Sequence, residues 1–259
     1  MIARSTTLIL CIVARTVLAG GEPQTEPTTP ADPLAPPAHT MGANWANTHQ
    51  KHLDFAKSHN VRVAFIGDSL IADWDSGSWT KTWAPRDAGN FGIPADRTEH
   101  VLWRLKNGLL DAIDPQVVVL QVGTNDLKSG TIIRSAEETV ANIVAIVRLI
   151  RDSEPKARII VMATFPRQPK YDWIDAVVRE QNARITQLQR DIPGVLVVDI
   201  GNQFRGPDGQ PAKIHLKDDM LHLKPSGYEM WTKCIVDMVD AALSPKPTTA
   251  TQPVTTPEK

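Results

Sequence analysis

With 259 residues, 42% of them hydrophobic, the chain can bury one sizeable core, and 28 basic against 29 acidic side chains leave a formal net charge of -1. That balance carries no electrostatic footprint for nucleic acid, and no apolar run reaches the length of a membrane span. Ten of the 20 prolines lie at the two ends, six from Pro23 to Pro37 and four from Pro245 to Pro257, so composition itself limits the globular domain to residues 41–243.

Residues 1–20 read as an export signal: Arg4, an apolar stretch from Leu8 to Ala14, then small residues at Ala19 and Gly20. Removal of that signal takes Cys11 with it and leaves Cys234, so no disulfide framework is expected. Cys234 falls on the stripe Trp231, Cys234, Ile235, Met238 and reads as a core thiol. Residues 21–40 form a Pro-rich spacer and residues 244–259 a Pro/Thr-rich tail, both too poor in apolar surface to fold alone.

From Trp45 the pattern Trp45, His49, Leu53, Ala56 marks an amphipathic helix. His49 and His52, three apart, lack a third ligand nearby and read as solvated, so no metal and no cofactor is expected. Val61 to Leu70 then carries a buried strand into Gly67, where the chain can turn sharply and present Ser69. Trp74, Trp79 and Trp83 follow, as packing or as the wall of a cleft.

Asp87 to Gly92 is a short strand ending in glycine, and Thr98 opens a helix with Val101, Leu102, Leu105 and Leu109 on one face. Gln116 to Val122 is the clearest buried strand and runs into Gly123-Thr124-Asn125-Asp126. A long helix over Ser135 to Asp152, a strand over Arg158 to Ala163, a helix over Asp172 to Arg190 and a strand over Val195 to Ile200 complete the alternation. Such alternation predicts an α/β fold: a five-stranded parallel sheet covered by helices on both faces. The long loop from Gly201 to Leu221 leads to Asp219-Met220-Leu221-His222, and Pro225 starts the last helix.

These elements place Ser69, Gly92, Asn125, Asp219 and His222 at one carboxyl edge, where open α/β sheets bind ligands. A serine hydroxyl needs a base, histidine suits that task near neutral pH, and a carboxylate fixes the imidazole tautomer. Backbone N–H groups at Ser69 and Gly92 and the Asn125 amide are suitable donors to an oxyanion. Each piece alone also has a plain reading: Asp68-Ser69 as an N-cap, Asn125 as a turn residue, Asp219 and His222 as exposed loop residues. Their shared edge favours the site.

Gly67-Asp68-Ser69-Leu70, Gly92 within Asn90-Phe91-Gly92, Gly123-Thr124-Asn125-Asp126 and Asp219-Met220-Leu221-His222 resemble, in order, the four blocks of the SGNH (GDSL-type) esterase and lipase superfamily. Within it, His100-Val101-Leu102-Trp103-Arg104-Leu105-Lys106-Asn107-Gly108 is similar to the catalytic subunits of intracellular platelet-activating-factor acetylhydrolase. The resemblance implies a flavodoxin-like three-layer α/β/α sandwich and an acyl-enzyme on Ser69, with His222 as base, Asp219 as its orienter, Ser69, Gly92 and Asn125 around the oxyanion, and Asp68 structural. The chain departs from that pattern at Pro94-Ala95-Asp96-Arg97, where the relatives are glycine-rich, and in its export signal. With no apolar lid segment, the expected substrate is a short acyl ester, acetyl on a small molecule or glycan. A lipase, lysophospholipase or thioesterase on the same triad, and a catalytically silent carbohydrate-binding module, are the competing readings; a homodimer is compatible with all of them.

Overall fold

A computed structural model describes residues 42–127, 134–167 and 172–243. The export signal, spacer and tail lie outside the described residues. Helix α1 (Gly42–Ser58) leads into β1 (Val63–Gly67), followed by the short turns of helix α2 (Ser69–Ala72) and α3 (Ser76–Ser78). Then come β2 (Ala88–Gly92), α4 (Thr98–Arg104), β3 (Val117–Gln121), α5 (Thr124–Leu127) and α6 (Ala136–Ser153). The chain ends with β4 (Arg158–Met162), α7 (Asp172–Ile185), α8 (Leu188–Asp191), β5 (Val195–Val198) and α9 (Pro225–Leu243).

All four strand pairings are parallel, in the order β2-β1-β3-β4-β5. Side chains alternate along each strand. Ala64, Ile66, Val118 and Leu120 face α4, α6 and α7, where Val101, Ile143, Val147 and Ile185 meet them. Val63, Phe65, Val117 and Val119 face the opposite way, against Trp83 and the α9 stripe Trp231, Ile235 and Val239. Both faces are covered, which is why these strands read as continuous apolar runs. The expected three-layer fold is present. No described helix is long and apolar enough to cross a membrane.

Two helices depart from expectation. The run Asp172 to Arg190 is broken between Ile185 and Leu188, so α8 is a separate turn. The helix expected through Leu109 leaves regular geometry at Asn107 (φ -108°, ψ 53°) and at Gly108 (φ 96°). His49 and His52 also differ from expectation: His49 is buried and its Nε2 lies 3.1 Å from the Asn107 carbonyl, while His52 is half-buried with its ring edge-on to Phe91. Helix α1 turns that face inward because Trp45 donates through Nε1 to buried Asp96 at 2.7 Å and packs on Trp103. Trp74 and Trp83 are buried around Phe65, so they serve as packing. Cys234 is half-buried against the same core face.

Register places the site. Gly67 pairs with Gly92 on one side and with Gln121 on the other, so three strands end level with one another. A Cβ at Gly67 would stand 2.0 Å from the Gln121 carbonyl oxygen, and one at Gly92 2.2 Å from the Ala72 nitrogen. Only glycine lets the chain pass this closely at both positions.

Candidate active site

Ser69 is the first residue of α2, directly after β1 and Asp68. Asp68 caps that helix: its Oδ1 accepts the Leu70 N–H at 2.9 Å, and its carbonyl accepts from Ile71 and Ala72. The cap fixes the turn that lifts Ser69, and leaves the Ser69 N–H among the first helical donors without an intrahelical acceptor. Burial, with Asp96 and Asp126 as like charges, pushes the Asp68 carboxyl up to about 7 against the pull of the Leu70 N–H and of Arg167.

His222 and Asp219 come from the tip of an antiparallel loop. Leu216 bridges Leu223, the Lys217 N–H donates to the His222 carbonyl at 2.7 Å, and the Lys224 N–H to the His215 carbonyl at 2.9 Å. At the tip Met220 takes φ +54°, a left-handed conformation that costs a non-glycine residue on the order of 1 kcal/mol or more. That turn lets Asp219 Oδ1 accept the N–H groups of Leu221 (3.0 Å) and His222 (2.9 Å). Its other oxygen, Oδ2, lies 2.6 Å from His222 Nδ1. His222 Nε2 in turn lies 2.9 Å from Ser69 Oγ.

With the ring proton on Nδ1, His222 donates to Asp219 and accepts the serine hydroxyl. Burial opposes the charge on Asp219, yet hydrogen bonds from the His222 ring and from the two backbone N–H groups hold its carboxyl below the ordinary range. An ionised carboxylate stabilises the imidazolium that would form on proton transfer. Ser69 itself is only 6% exposed, while the side chains of His222 and Asp219 keep 26% and 46%.

The Gly92 N–H and the Asn125 amide stand at the same edge, and both have partners in this resting arrangement. Gly92 donates to Asn90 Oδ1 at 3.0 Å, and Asn125 Nδ2 donates to the Asp96 carbonyl at 2.9 Å. Asn90 also donates to the Ile71 carbonyl at 2.7 Å, tying β2 to the helix that carries Ser69. The second N–H of the Asn125 amide remains for a ligand, and the Gly92 N–H must be shared to reach one.

Three further residues hold this arrangement. Asp96 orients Asn125 through its carbonyl while its buried carboxylate pairs with Arg104, whose Nη1 and Nη2 donate to the Phe91 and Gly67 carbonyls. Asp126 accepts the Thr98 N–H at 2.9 Å and the Thr98 hydroxyl at 2.5 Å, clamping the Asn125 turn to α4. Arg167, 5% exposed, donates through Nη1 to the Thr124 carbonyl at 2.7 Å. Burial lowers its guanidinium pKa, against opposing pulls from Asp68 and Asp219. Asp96 sits in the segment that departs from the family pattern, where Ala95 takes φ +64°, the backbone that a glycine would favour. Arg167 follows Pro166 in the loop after β4, and only its place on that edge of the sheet hinted at it.

The fold is that of a hydrolase family. The family model described as GDSL-like Lipase/Acylhydrolase matches residues 65–230, and the chain belongs to that family: it is an esterase or acylhydrolase of GDSL type. Among curated proteins it is similar to platelet-activating factor acetylhydrolase IB subunit alpha2 of Rattus norvegicus, 35% identical over 208 residues, 78% of this chain and 86% of that protein. Among solved structures it is similar in fold to a GDSL-like lipase from Bacteroides thetaiotaomicron (TM-score 0.63, 18% identity, 77% of this chain and 98% of that one). An acetylxylan esterase from Geobacillus stearothermophilus shares the fold as well (TM-score 0.54, 15% identity, 68% and 93%).

Proposed function

We propose that this esterase hydrolyses short-acyl carboxylic esters, acetyl esters of carbohydrates first among them, through an acyl-enzyme on Ser69. The observation that carries the reading is the unbroken line from Asp219 Oδ2 to His222 Nδ1 (2.6 Å) and from His222 Nε2 to Ser69 Oγ (2.9 Å). His222 takes the hydroxyl proton as Oγ attacks the ester carbonyl, and Asp219 stabilises the imidazolium. The oxyanion is received by the N–H groups of Ser69 and Gly92 and by the Asn125 amide. His222 returns the proton to the departing alcohol, then repeats the sequence with water, which releases the acid and frees Ser69.

The names of the relatives support a short acyl group: one is an acetylhydrolase and one structural neighbour an acetylxylan esterase. The export signal read in residues 1–20 suits an enzyme that meets glycans outside the cell. The test is hydrolysis of chromogenic esters from acetate to palmitate by the wild type and by Ser69→Ala. The expected result is a steep acetate preference, lost at least a thousandfold in the variant with folding unchanged. A long-chain preference would move the assignment to a lipase, and undiminished turnover by the variant would remove Ser69 from the chemistry.

A further inference from the structure

A cleft of about 580 Å³ opens at the same carboxyl edge as Ser69, further along the sheet. Thr164 and Pro166 after β4, Asp199 and Asn202 after β5, and Asn182 and Ala183 on α7 form its walls. Neighbouring strands lie about 4.8 Å apart, and β4 is two strands from β1, so the near wall of the cleft follows a strand on the order of 10 Å across the sheet from the one that carries Ser69. Its wall residue Pro166 is bonded to Arg167, the arginine that holds the Thr124 carbonyl beside Asn125. Cleft and serine are therefore two stations on one edge.

The lining mixes polar with apolar surface, and its two arginines are already paired. Arg179 and Arg205 both pair with Asp175, the latter at 2.5 Å, and Asp199 supplies a second carboxylate. Asp199 is exposed and uses Oδ1 to accept the Gly201 N–H at 2.8 Å, which leaves Oδ2 for a ligand. The Asn202 amide is exposed and makes no hydrogen bond among the described residues. Val178, Pro166 and Ala183 supply apolar surface between these groups. A carboxylate, an amide and a guanidinium match a ligand whose groups both donate and accept, as vicinal hydroxyls do. An anion would have to take the arginines from Asp175, and an acyl chain would cover Asp199 and Asn202 without partnering them.

We infer that this cleft is a glycan subsite, which holds neutral sugar units some residues away from the unit whose ester reaches Ser69. The inference rests on the carbohydrate-ester reading above and assigns the part of the substrate that is not cleaved. It also separates two classes of substrate, because a small acetate ester never reaches the cleft.

The direct test is calorimetric titration of Ser69→Ala with unacetylated xylotetraose, cellotetraose and chitotetraose, repeated with Ala183→Phe added. Ala183 is exposed on α7, so a phenyl ring there fills the cleft without entering the core. At least one tetrasaccharide should bind, and the added substitution should weaken it tenfold or more. Binding equal in the two proteins, or no binding of any tetrasaccharide, overturns the inference. With Ser69 intact, Ala183→Phe and Asn202→Ala should raise KM for the acetylated form of the bound tetrasaccharide about tenfold and leave kcat/KM for p-nitrophenyl acetate unchanged; equal losses on both substrates would overturn it. Cleft-dependent sugar binding in a protein that hydrolyses no ester would sink the catalytic reading alone. Ester hydrolysis without sugar binding would sink only the subsite.

Discussion

Arg167 shows how much of the site depends on a residue that the sequence does not mark. Its side chain is buried, its Nη1 fixes the Thr124 carbonyl, and its charge acts on both Asp68 and Asp219. Methionine in its place would fill a similar volume, but the Thr124 carbonyl would lose its partner and the Asn125 amide its fixed neighbour. In the proposed mechanism that amide receives the oxyanion, and a small displacement is costly because only a near-ideal geometry stabilises the developing charge. Arg167→Met should therefore lower kcat for p-nitrophenyl acetate about ten- to a hundredfold while KM changes little, and Arg167→Lys should recover part of the loss. Steady-state kinetics of the two variants decide it: a rise in KM alone would place Arg167 in substrate binding instead. The three residues of the hydrogen-bonded line, Ser69, His222 and Asp219, stood out in the sequence because each follows a strand or precedes a helix. Arg167 did not, since a Pro-Arg pair after a strand is ordinary, and what matters is the carbonyl it meets 43 residues earlier in the chain.

Elements dock here by charge as well as by apolar contact, and exposure separates the pairs that matter. Arg104 on α4 and Asp96 before it are both fully buried, and together they reach Trp45 of α1, Phe91 of β2 and Gly67 of β1. Removing one partner strands a buried charge and several carbonyls, so Arg104→Met should cost about 3–5 kcal/mol of stability. Arg86 and Asp240 also form a two-bond pair, at 2.6 and 2.7 Å, between the turn before β2 and α9. Their side chains keep 24% and 47% exposure, and Arg86→Met should cost no more than about 1 kcal/mol. Urea denaturation of both variants checks the contrast; similar losses would show that burial does not set the worth of these pairs. The strands were legible because both faces are apolar, which gives uninterrupted runs such as Val117 to Leu120. The face of α1 was legible in Trp45, His49 and Ala56, but not the burial of the His49 ring, which is received by Trp103 and the Asn107 carbonyl. Nor was the break before α8, since the apolar spacing of Ile185 and Leu188 continues across it.

Across the whole molecule, two kinds of buried titratable group pull stability in opposite directions with pH. Burial raises Asp68 from 3.8 to about 7, so the folded protein keeps a proton there that the unfolded chain has released. That contribution is complete below pH 3.8 and fades as pH rises through about 7. His52 is lowered from 6.5 to about 3, by burial first and then by Arg104 and His49, so the unfolded chain takes a proton that the folded protein refuses. Its contribution is complete above pH 6.5 and fades as pH falls towards 3. Between these limits each group changes stability by about 1.4 kcal/mol per pH unit, with opposite sign, and the two largely offset one another. Single substitutions should expose the slopes. Asp68→Asn keeps the cap on Leu70, removes the acid, and should make stability rise with pH from 4.5 to 6.5 relative to the wild type. His52→Phe keeps an aromatic edge against Phe91, removes the base, and should make stability fall over the same interval. His49, Asp96 and Asp126 are present in all three proteins, and their coupling to His52 and to Asp68 acts in the same sense as the slope that each substitution removes. Urea denaturation at pH 4.5, 5.5 and 6.5 reads both slopes at once. Three parallel curves would mean that neither group changes its proton affinity on folding, whereas curves that diverge in opposite senses would show the acid beneath the serine and the histidine of α1 setting the pH range in which the site stays assembled.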